Sequence, residues 1–157
     1  QTVAVIGGGG KSGLLCLYAA KKMGATTIAL DYSTAATTRA KTLSFVDQVI
    51  QIDARKAVEV MEAVKAATQG KMADLVINVA NIPDTEMGSI LSCRSEGIVY
   101  LFSMATSFTR AALGAEAVGA DVDLRIGNGY TSGHAELALN NLRESPEIRR
   151  LFEEIYS

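Results

Sequence analysis

Short apolar segments alternate with segments of helical periodicity along the chain, and this alternation restricts the possible folds more than any other feature. The segments predicted as strands are residues 2–6, 26–30, 48–52, 75–79, 97–102 and 122–126. The segments predicted as helices are residues 14–23, 34–43, 56–68, 85–93, 107–117 and 134–142, with a further helix from Ser145 onward. Strands that alternate with helices pair in parallel, and helices cover both faces of their sheet. The sequence therefore predicts the α/β class, as a doubly wound six-stranded parallel sheet of the Rossmann type.

The length and composition are those of one folded domain. The chain has 157 residues, 48% of them hydrophobic, and we predict a single domain over residues 1–157 that includes the C-terminal helices. A net charge of −2 without a basic tract argues against nucleic acid as a partner. No apolar run approaches the ~20 residues of a membrane span, so no membrane partner is predicted. Because a strand follows Gln1 almost at once, we expect the chain to be part of a longer protein.

The segment between the first predicted strand and the first predicted helix reads GGGGKSG and matches two phosphate-binding patterns. Gly10-Lys11-Ser12 matches the end of a P-loop, but that motif would begin at Val5, inside the strand. The other pattern, Gly-x-Gly-x-x-Gly, is typical of dinucleotide-binding domains and fits its place between a strand and a helix. It can be counted from Gly8, or from Gly7 with one extra residue in the turn.

An acidic residue stands where a dinucleotide site needs one. Asp31 closes the second predicted strand, 18 residues after Gly13, and the acid that binds the ribose hydroxyls is expected roughly 20 residues beyond the glycines. Glycines permit a tight turn and close approach to a pyrophosphate, and a helix N terminus favours an anion. We therefore predict NAD as the cofactor, preferred over NADP because Asp31 repels a 2′-phosphate, with Asp31→Ser narrowing the preference. The alternative is a glycine turn beside a solvated Asp31.

Further cofactor contacts are expected after the strands, because ligands of open α/β sheets bind outside the carboxyl ends of the strands. The predicted cofactor-binding residues are Gly7, Gly9, Gly10, Lys11, Ser12, Gly13, Asp31, Tyr32, Ser33, Val79, Ala80, Asn81, Ser103 and Asn128. Ser103 can instead cap the next helix, Asn81 can be a turn residue, and Lys11 can point to water. We also expect valine at Gly9 or at Gly10 to weaken NAD binding and to leave the fold intact.

The remaining reactive side chains indicate neither a metal site nor a particular catalytic residue. His134 is the only histidine, which excludes a His-rich metal site within this chain; we favour a structural role for it and keep a catalytic role as the alternative. Cys16 and Cys93 lack metal-ligand spacing, and each falls in a predicted helix, where packing explains it. Two isolated thiols fit a reducing cytoplasm, which is the predicted location.

Two features predict contacts beyond the sheet itself. The last predicted helix carries Ile148, Leu151, Phe152 and Ile155 on one side, so this stripe covers either the sheet edge or a part of the protein outside this chain. The segment 122–126 is the expected edge strand, and exposed edges invite pairing. We predict a homodimer formed by antiparallel pairing of this strand across a two-fold axis.

Two segments carry a resemblance to a known family. VAVIGGGGKSGLLC at 3–16 and RIGNGYTSGHAELAL at 125–139 resemble the L-erythro-3,5-diaminohexanoate dehydrogenases of bacterial lysine fermentation, which are similar in plan to the medium-chain dehydrogenases. The resemblance covers nearly the whole chain. It implies NAD-dependent oxidative deamination of the 3-amino group, giving 5-amino-3-oxohexanoate, ammonia and NADH. It also implies dimers built through the edge strand.

The same resemblance limits what this chain can do alone. It implies that most of the catalytic domain lies upstream, so the 157 residues are expected to bind NAD without turnover. Only the glycine loop and Asp31 take their roles from the family. Two alternatives remain: a medium-chain alcohol dehydrogenase or reductase domain, and a non-catalytic module that senses NAD(H).

Overall fold

A computed structural model describes residues 1–127 and 129–156, and its elements follow the predicted order. The strands are β1 (Thr2–Ile6), β2 (Thr26–Asp31), β3 (Gln48–Gln51), β4 (Ala73–Asn78), β5 (Cys93–Leu101) and β6 (Val122–Ile126). The helices are α1 (Lys11–Lys22), α2 (Thr34–Ala40), α3 (Ala57–Ala67), α4 (Glu86–Leu91), α5 (Phe108–Ala117), α6 (His134–Glu144) and α7 (Pro146–Tyr156). Within the described residues, no helix has both the length and the apolar character needed to cross a membrane.

The strands form one parallel sheet in the order β3-β2-β1-β4-β5-β6, which confirms the predicted fold class. From β1 the sheet grows first toward β3 and then, after a crossover, toward β6. At the end of β1, Ile6 pairs with Leu30 on one side and with Asn78 on the other. The turn after β1 therefore lies between the ends of β2 and β4, at the switch point where open α/β sheets bind their ligands.

Helices cover both faces of the sheet, and each face has its own apolar core. On one face Ile6 belongs to a buried cluster with Val60 of α3. On the other face Val5 belongs to a cluster with Leu14 of α1 and Ile148 of α7. Because neighbouring residues of a strand point to opposite faces, the continuous apolar run of β1 supplies both cores.

The apolar stripe of α7 packs on the sheet face that α1 also covers. Ile148 is fully buried, and the partly buried Leu151 and Phe152 contact the same cluster. Ser145 caps this helix by accepting a hydrogen bond from the Ile148 N–H at 3.2 Å. The stripe therefore joins the apolar core on the α1 side of the sheet, within this chain, while Ile155 stays 37% exposed.

The main departure from the predicted elements is the start of β5. The sequence pattern extends a helix through Cys93, whereas Cys93 is the first residue of β5 and is buried. Asp74 accounts for the difference, because its carboxylate accepts hydrogen bonds from the Thr2 N–H and from Arg94 Nε, both at 2.7 Å. These bonds hold the segment after α4 against the amino ends of β1 and β4. The assignment of Cys93 to a helix is wrong, and that of Cys16 to α1 is confirmed.

Candidate functional site

The chain turns sharply after β1, across the end of β2. Gly7 has a φ of +81°, a left-handed conformation that glycine adopts without strain. The N–H groups of Gly7 and Gly8 both donate to the Leu30 carbonyl oxygen, at 2.9 and 3.0 Å. These bonds place the glycine loop, residues 7–13, at the carboxyl edge of the sheet and directly before α1.

Two glycines of this loop are required by the packing of the chain itself. A Cβ at Gly8 would lie 2.9 Å from the Ala29 Cβ on β2. A Cβ at Gly13 would overlap the Gly7 carbonyl oxygen and would lie 2.7 Å from the Gly8 Cα. Overlaps with backbone atoms are relieved only by moving the backbone, so a side chain at either position disturbs the turn or its contact with α1.

Gly9 is also required by packing, which corrects one expectation. Its missing side chain leaves room for α2, since a Cβ would lie 2.5 Å from the Ala36 Cβ and 2.8 Å from the Ala36 carbonyl oxygen. The expectation that valine at Gly9 would leave the fold intact is therefore wrong. A loss of ligand binding in such a variant would report the displacement of α2 together with any effect on the ligand.

Gly10 differs from the other glycines of the loop. It is the N-cap of α1, with an extended backbone (φ −86°, ψ 174°) that any residue can adopt. It is exposed, and a Cβ there would meet only the Gly7 carbonyl oxygen, at an ordinary contact distance of 3.5 Å. Steric contacts within the described chain therefore do not require glycine here. The count Gly8-x-Gly10-x-x-Gly13 fits these distances, because its middle glycine leaves room for a ligand.

Asp31 ends β2 with its carboxylate against the glycine loop. Its Oδ2 accepts a hydrogen bond from the Gly9 N–H at 3.0 Å, and its Oδ1 accepts one from the Ser33 N–H at 3.2 Å. Tyr32 is 68% exposed beside it. Ser33 caps α2, accepting from the Ala36 N–H at 3.3 Å, a role that the sequence interpretation missed. The fold thus brings together the loop and the acid that were predicted to act together.

Arg39 is a residue of this site that sequence reasoning missed. From α2 its Nη1 donates to the Gly9 carbonyl oxygen at 3.0 Å, and the side chain is half-buried. The Asp31 carboxylate accepts from the N–H of the same glycine. The backbone of Gly9 is therefore held by a carboxylate at its N–H and by a guanidinium at its carbonyl oxygen. No motif marks an arginine eight residues after the acid, so only the fold identifies it.

A buried asparagine fixes the loop after β4. The Asn78 side chain donates to Thr85 Oγ1 at 2.8 Å and to Ser89 Oγ at 2.9 Å, and it accepts from the Ala80 N–H at 3.1 Å. Asn78 is 1% exposed, so these groups take the place of water for a buried amide. Every polar atom of the amide has a partner, which gives the loop one defined conformation.

The predicted residues of that loop lie next to the glycine loop. The Val79 N–H donates to the Ile6 carbonyl oxygen at 3.0 Å. The Ala80 N lies 3.0 Å from the position that a Cβ on Gly7 would take. Val79 and Ala80 therefore pack directly against the glycine loop at the switch point, and Asn81 is exposed beyond them.

A buried carboxylate fixes the loop after β5. Ser107, and not Ser103, caps α5, so the interpretation of Ser103 as the helix cap is wrong; its hydroxyl accepts from the Ala105 N–H at 3.1 Å. The Ser107 N–H donates to Glu86 Oε1 at 2.6 Å, and Glu86 is 2% exposed. Glu86 thus links α4 to the loop that carries Ser103. Asn128, predicted after β6, lies outside the described residues.

The histidine and the two cysteines have local explanations. His134 is exposed at the start of α6, with Nδ1 2.7 Å from the Thr131 carbonyl oxygen and its ring stacked on Tyr130 at 4.9 Å. Burial raises the pKa of the Cys93 thiol to about 11 and also raises the pKa of Cys16. Nucleophilic cysteines need a depressed pKa, so neither thiol is poised for catalysis.

A cleft of about 440 Å³ lies beyond the ends of β2 and β3, and the sequence did not indicate it. Its lining residues are Tyr32, Gln51, Ile52, Asp53, Lys56 and Glu59. Asp53 is paired with Arg55, whose guanidinium and backbone N–H lower the pKa of the carboxyl to about 2. The cleft adjoins Asp31 and offers an aromatic and an aliphatic surface to a flat ring.

The six-stranded parallel sheet, with a glycine loop between β1 and α1 at its switch point, places this chain in the Rossmann class of α/β domains. A comparison with known families gives a narrower assignment, because the model of the zinc-binding dehydrogenase family matches residues 13–117. The chain belongs to the zinc-binding dehydrogenase family.

Individual relatives agree with the resemblance read from the sequence. The chain is 51% identical over 159 aligned residues to L-erythro-3,5-diaminohexanoate dehydrogenase of Acetoanaerobium sticklandii, and 44% identical to that of Fusobacterium nucleatum. Each alignment covers 99% of this chain and 46% of the relative, so the chain spans about half the length of these proteins. The crystal structure of AibC superposes with a TM-score of 0.73 at 21% identity, over 95% of this chain and 40% of that one, which shows a shared fold.

The name of the family raises the question of zinc. Across residues 1–127 and 129–156, no group of three or more His, Cys, Asp or Glu side chains is arranged to hold a metal ion. Zinc sites in proteins use at least three protein ligands. The described residues therefore do not fit a zinc site, and we assign them no zinc-dependent step.

Proposed function

We propose that this chain is the NAD-binding domain of a dehydrogenase that oxidatively deaminates L-erythro-3,5-diaminohexanoate to 5-amino-3-oxohexanoate. One observation carries the cofactor part: Gly10 is an open, extended glycine at the N terminus of α1, next to a loop held by Asp31. The substrate rests on 51% identity to a relative of that name. The domain comprises residues 1–157, and the catalytic groups lie in the remainder of the protein.

The pyrophosphate would bind at the N terminus of α1. This helix has 12 residues, its first turn contains no acidic side chain, and Gly10 supplies no capping side chain. Its first N–H groups point out of the helix end, and the helix dipole favours an anion there. Lys11 and Ser12 are exposed at the same end and can add charge and a hydroxyl donor.

Asp31 would accept the hydroxyls of the adenosine ribose, and the adjoining cleft beside Tyr32 would receive the adenine. A 2′-phosphate would bring like charges together, and at ~4 Å with an effective dielectric near 20 they repel by about 4 kcal/mol before screening. Even after a large discount for the half-exposed carboxylate, this favours NAD over NADP. Tighter binding of NADP than of NAD by the unmodified protein would contradict the assignment.

The nicotinamide would lie over the loops that follow β4 and β5. When bound, NAD accepts a hydride from the carbon that carries the amino group. The chain's part in this step is positioning, since Asn78 and Glu86 fix the two loops by buried hydrogen bonds. Ser103 is half-buried on the second loop and can contact the carboxamide.

The test is calorimetry and a turnover assay on the full-length protein. NAD should bind with one site per chain, and 3,5-diaminohexanoate should produce NADH, followed by its near-ultraviolet absorbance. If the protein binds NAD but oxidises simple alcohols instead of the diamino acid, the proposed substrate class is wrong. If NAD binding changes the assembly state and no turnover occurs, the protein is a sensor of NAD(H) and not an enzyme.

The chain by itself should bind NAD without turnover. Orientation of the reactants supplies ~7–11 kcal/mol of a reaction barrier, and the described residues fix only the cofactor side. Losing half of that contribution slows a reaction more than a hundredfold. Titration and the NADH assay on one sample decide the matter. Robust turnover would place the catalytic groups within these residues, with His134 as the first candidate.

We also propose that the protein is a homodimer joined through β6. This strand is the outer strand of the sheet next to β5, and Asp123 and Arg125 form an ion pair at 3.0 Å on its exposed side. In an antiparallel pair of β6 strands these charges can exchange partners across the two-fold axis. Analytical ultracentrifugation that finds only monomers at high concentration would contradict this proposal.

The proposed location is the cytoplasm. Cys16 and Cys93 are both free thiols, which fits a reducing compartment. Fractionation of cells that express the full-length protein tests this, and recovery from an oxidising compartment would contradict it.

A further inference from the structure

A second cleft, of about 540 Å³, opens where α3, α4 and α5 adjoin, and we call it the α5 cleft. Its walls include Glu86 and Met87 of α4 and Leu113 of α5. Small-molecule sites have this size, and they are largely apolar with a few polar groups at fixed positions. The α5 cleft shares no lining residue with the glycine loop or with the cleft beside Tyr32, so it is a separate place for a ligand.

One oxygen of a buried carboxylate is open to the α5 cleft. Glu86 is 2% exposed, and its Oε1 accepts a hydrogen bond from the Ser107 N–H at 2.6 Å. Among the described residues no donor contacts Oε2, yet this oxygen is not sealed from the surface. Because Glu86 lines the cleft, a ligand there can reach Oε2.

Glu86 also gives the cleft a negative charge that nothing balances. Two arginines line the cleft as well, but Arg55 forms an ion pair with Asp53, and Arg110 forms one with Asp84. Glu86 has no such partner within the part of the chain that the structure describes. A buried carboxylate is costly to leave without a cation. The charge of the cleft therefore favours a cationic ligand.

The apolar walls of the cleft favour an aliphatic body on that ligand. Ala57 of α3, Met87 of α4 and Leu113 of α5 line the cleft, and Leu113 is 60% exposed although its side chain is large and apolar. Each CH₂ group that is buried on such a surface strengthens binding about fourfold. A ligand that suits both features carries an ammonium group at the end of a short aliphatic chain.

We propose that the α5 cleft binds an aliphatic primary ammonium, with its cationic group on Glu86 Oε2 and its chain against Met87 and Leu113. This inference goes beyond the proposed function and does not depend on it. A simple alkylamine and the amino acid substrate of the proposed reaction share this chemistry. The ligand would contact the same carboxylate that holds the loop after β5 through Ser107.

The experiment is an NMR titration of the full-length protein with isotope-labelled methionine methyl groups. Met87 is the reporter because it lines the cleft, and its resonance is assigned by its loss in Met87→Leu. Met23, 88% exposed at the C-cap of α1, is the internal control. The probe is butylammonium chloride, and 1-butanol is the uncharged ligand of similar shape. Ionic strength is held constant, because salt screens charge.

Butylammonium should shift the Met87 resonance saturably and leave that of Met23 unchanged. It should bind at least about tenfold more tightly than 1-butanol, because a charge-assisted hydrogen bond contributes about this factor. A titration with 3,5-diaminohexanoate, without NAD, shows whether the substrate of the proposed reaction also binds in the cleft.

Three variants separate charge from shape. Glu86→Gln keeps an oxygen for the Ser107 N–H and removes the charge, so it should abolish the preference for butylammonium over 1-butanol. Glu116→Gln is the matched control, because it removes the same charge from an exposed position of α5 outside the cleft. Leu113→Ala keeps the carboxylate and should weaken butylammonium about threefold or more, and methylammonium less. Circular dichroism and thermal melting establish that each variant is folded.

The proposal is overturned if neither amine shifts Met87 saturably, which is the result expected if a cationic side chain from the rest of the protein fills the cleft. It is also overturned if 1-butanol binds as tightly as butylammonium, or if a folded Glu86→Gln variant keeps the full preference. If Glu86→Gln does not fold, equal binding of butylammonium by Leu113→Ala and by the unmodified protein overturns it. These titrations contain no NAD, so the proposed function stands or fails separately.

Discussion

Replacing Gly10 by alanine separates the space needed by a ligand from the space needed by the fold. The new methyl group would stand 3.5 Å from the Gly7 carbonyl oxygen, in a backbone conformation that alanine adopts freely. Alanine is a poorer N-cap than glycine, by about 0.5–1.5 kcal/mol. It also restricts the unfolded chain, which stabilises by about 0.4–1 kcal/mol. The two effects nearly cancel, so the melting temperature should change by no more than about 4 °C.

The same methyl group points into the place proposed for the pyrophosphate. If it prevents one or two charge-assisted hydrogen bonds, each worth about 1.5–3 kcal/mol, NAD affinity should fall by at least about tenfold. Calorimetry with NAD and thermal melting of the same full-length sample give both quantities. Unchanged affinity in a folded Gly10→Ala variant would show that the cofactor does not approach this residue, and would refute the reasoning.

Gly13→Ala is the matched control for that experiment. It adds the same methyl group two residues into α1, where the Cβ overlaps the Gly7 carbonyl oxygen. Overpacking of this kind typically costs 1–3 kcal/mol. The control should therefore lower the stability in the absence of any ligand, whereas Gly10→Ala should not.

Three further predictions concern stability and reactivity. Asn78→Leu should lower the free energy of unfolding by about 2–4 kcal/mol in urea, because it leaves buried hydrogen-bonding groups without partners; a loss no larger than that of exposed Asn81→Ala would contradict this. Hydrogen bonds from Arg94, the larger cause, and from the Thr2 N–H hold the pKa of Asp74 below its usual 3.8. The ionised carboxylate therefore stabilises the folded state fully above pH 3.8, and this stabilisation is lost as the pH falls through and below that value. Asp74→Asn should therefore lower the free energy of unfolding near neutral pH, and lower it progressively less in acid. An equal loss of stability at neutral and at acid pH would contradict this prediction. The Cys93 thiol, with its pKa raised to about 11 by burial, should react with a disulfide reagent only after denaturation, and rapid labelling of the folded protein would show otherwise.

Local patterns were enough to predict the order of the elements and the position of the site. The apolar runs at β1, β2 and β6 begin at the predicted residues, because strand propensity and a flanking turn are properties of a few neighbouring residues. Asp31 could be placed beside the glycine loop because the ends of adjacent parallel strands lie at one edge of the sheet. Sequence reasoning missed the early start of β5, which depends on a bond between Asp74 and Arg94, 20 residues apart.

The sequence by itself determined the class of the fold, the switch point, and the pairing of a glycine loop with an acid, since these follow from periodicity and spacing along the chain. Only the tertiary structure decided which glycine serves which purpose. Gly9 and Gly13 look like Gly10 in the sequence, yet α2 and the loop backbone occupy the space beside the first two and leave the third open. It also decided that Arg39 reaches Gly9, and that Asn78 and Glu86 fix the two loops. The packing of helices on the sheet brings these residues into contact, and the spacing of the residues along the chain does not predict such contacts.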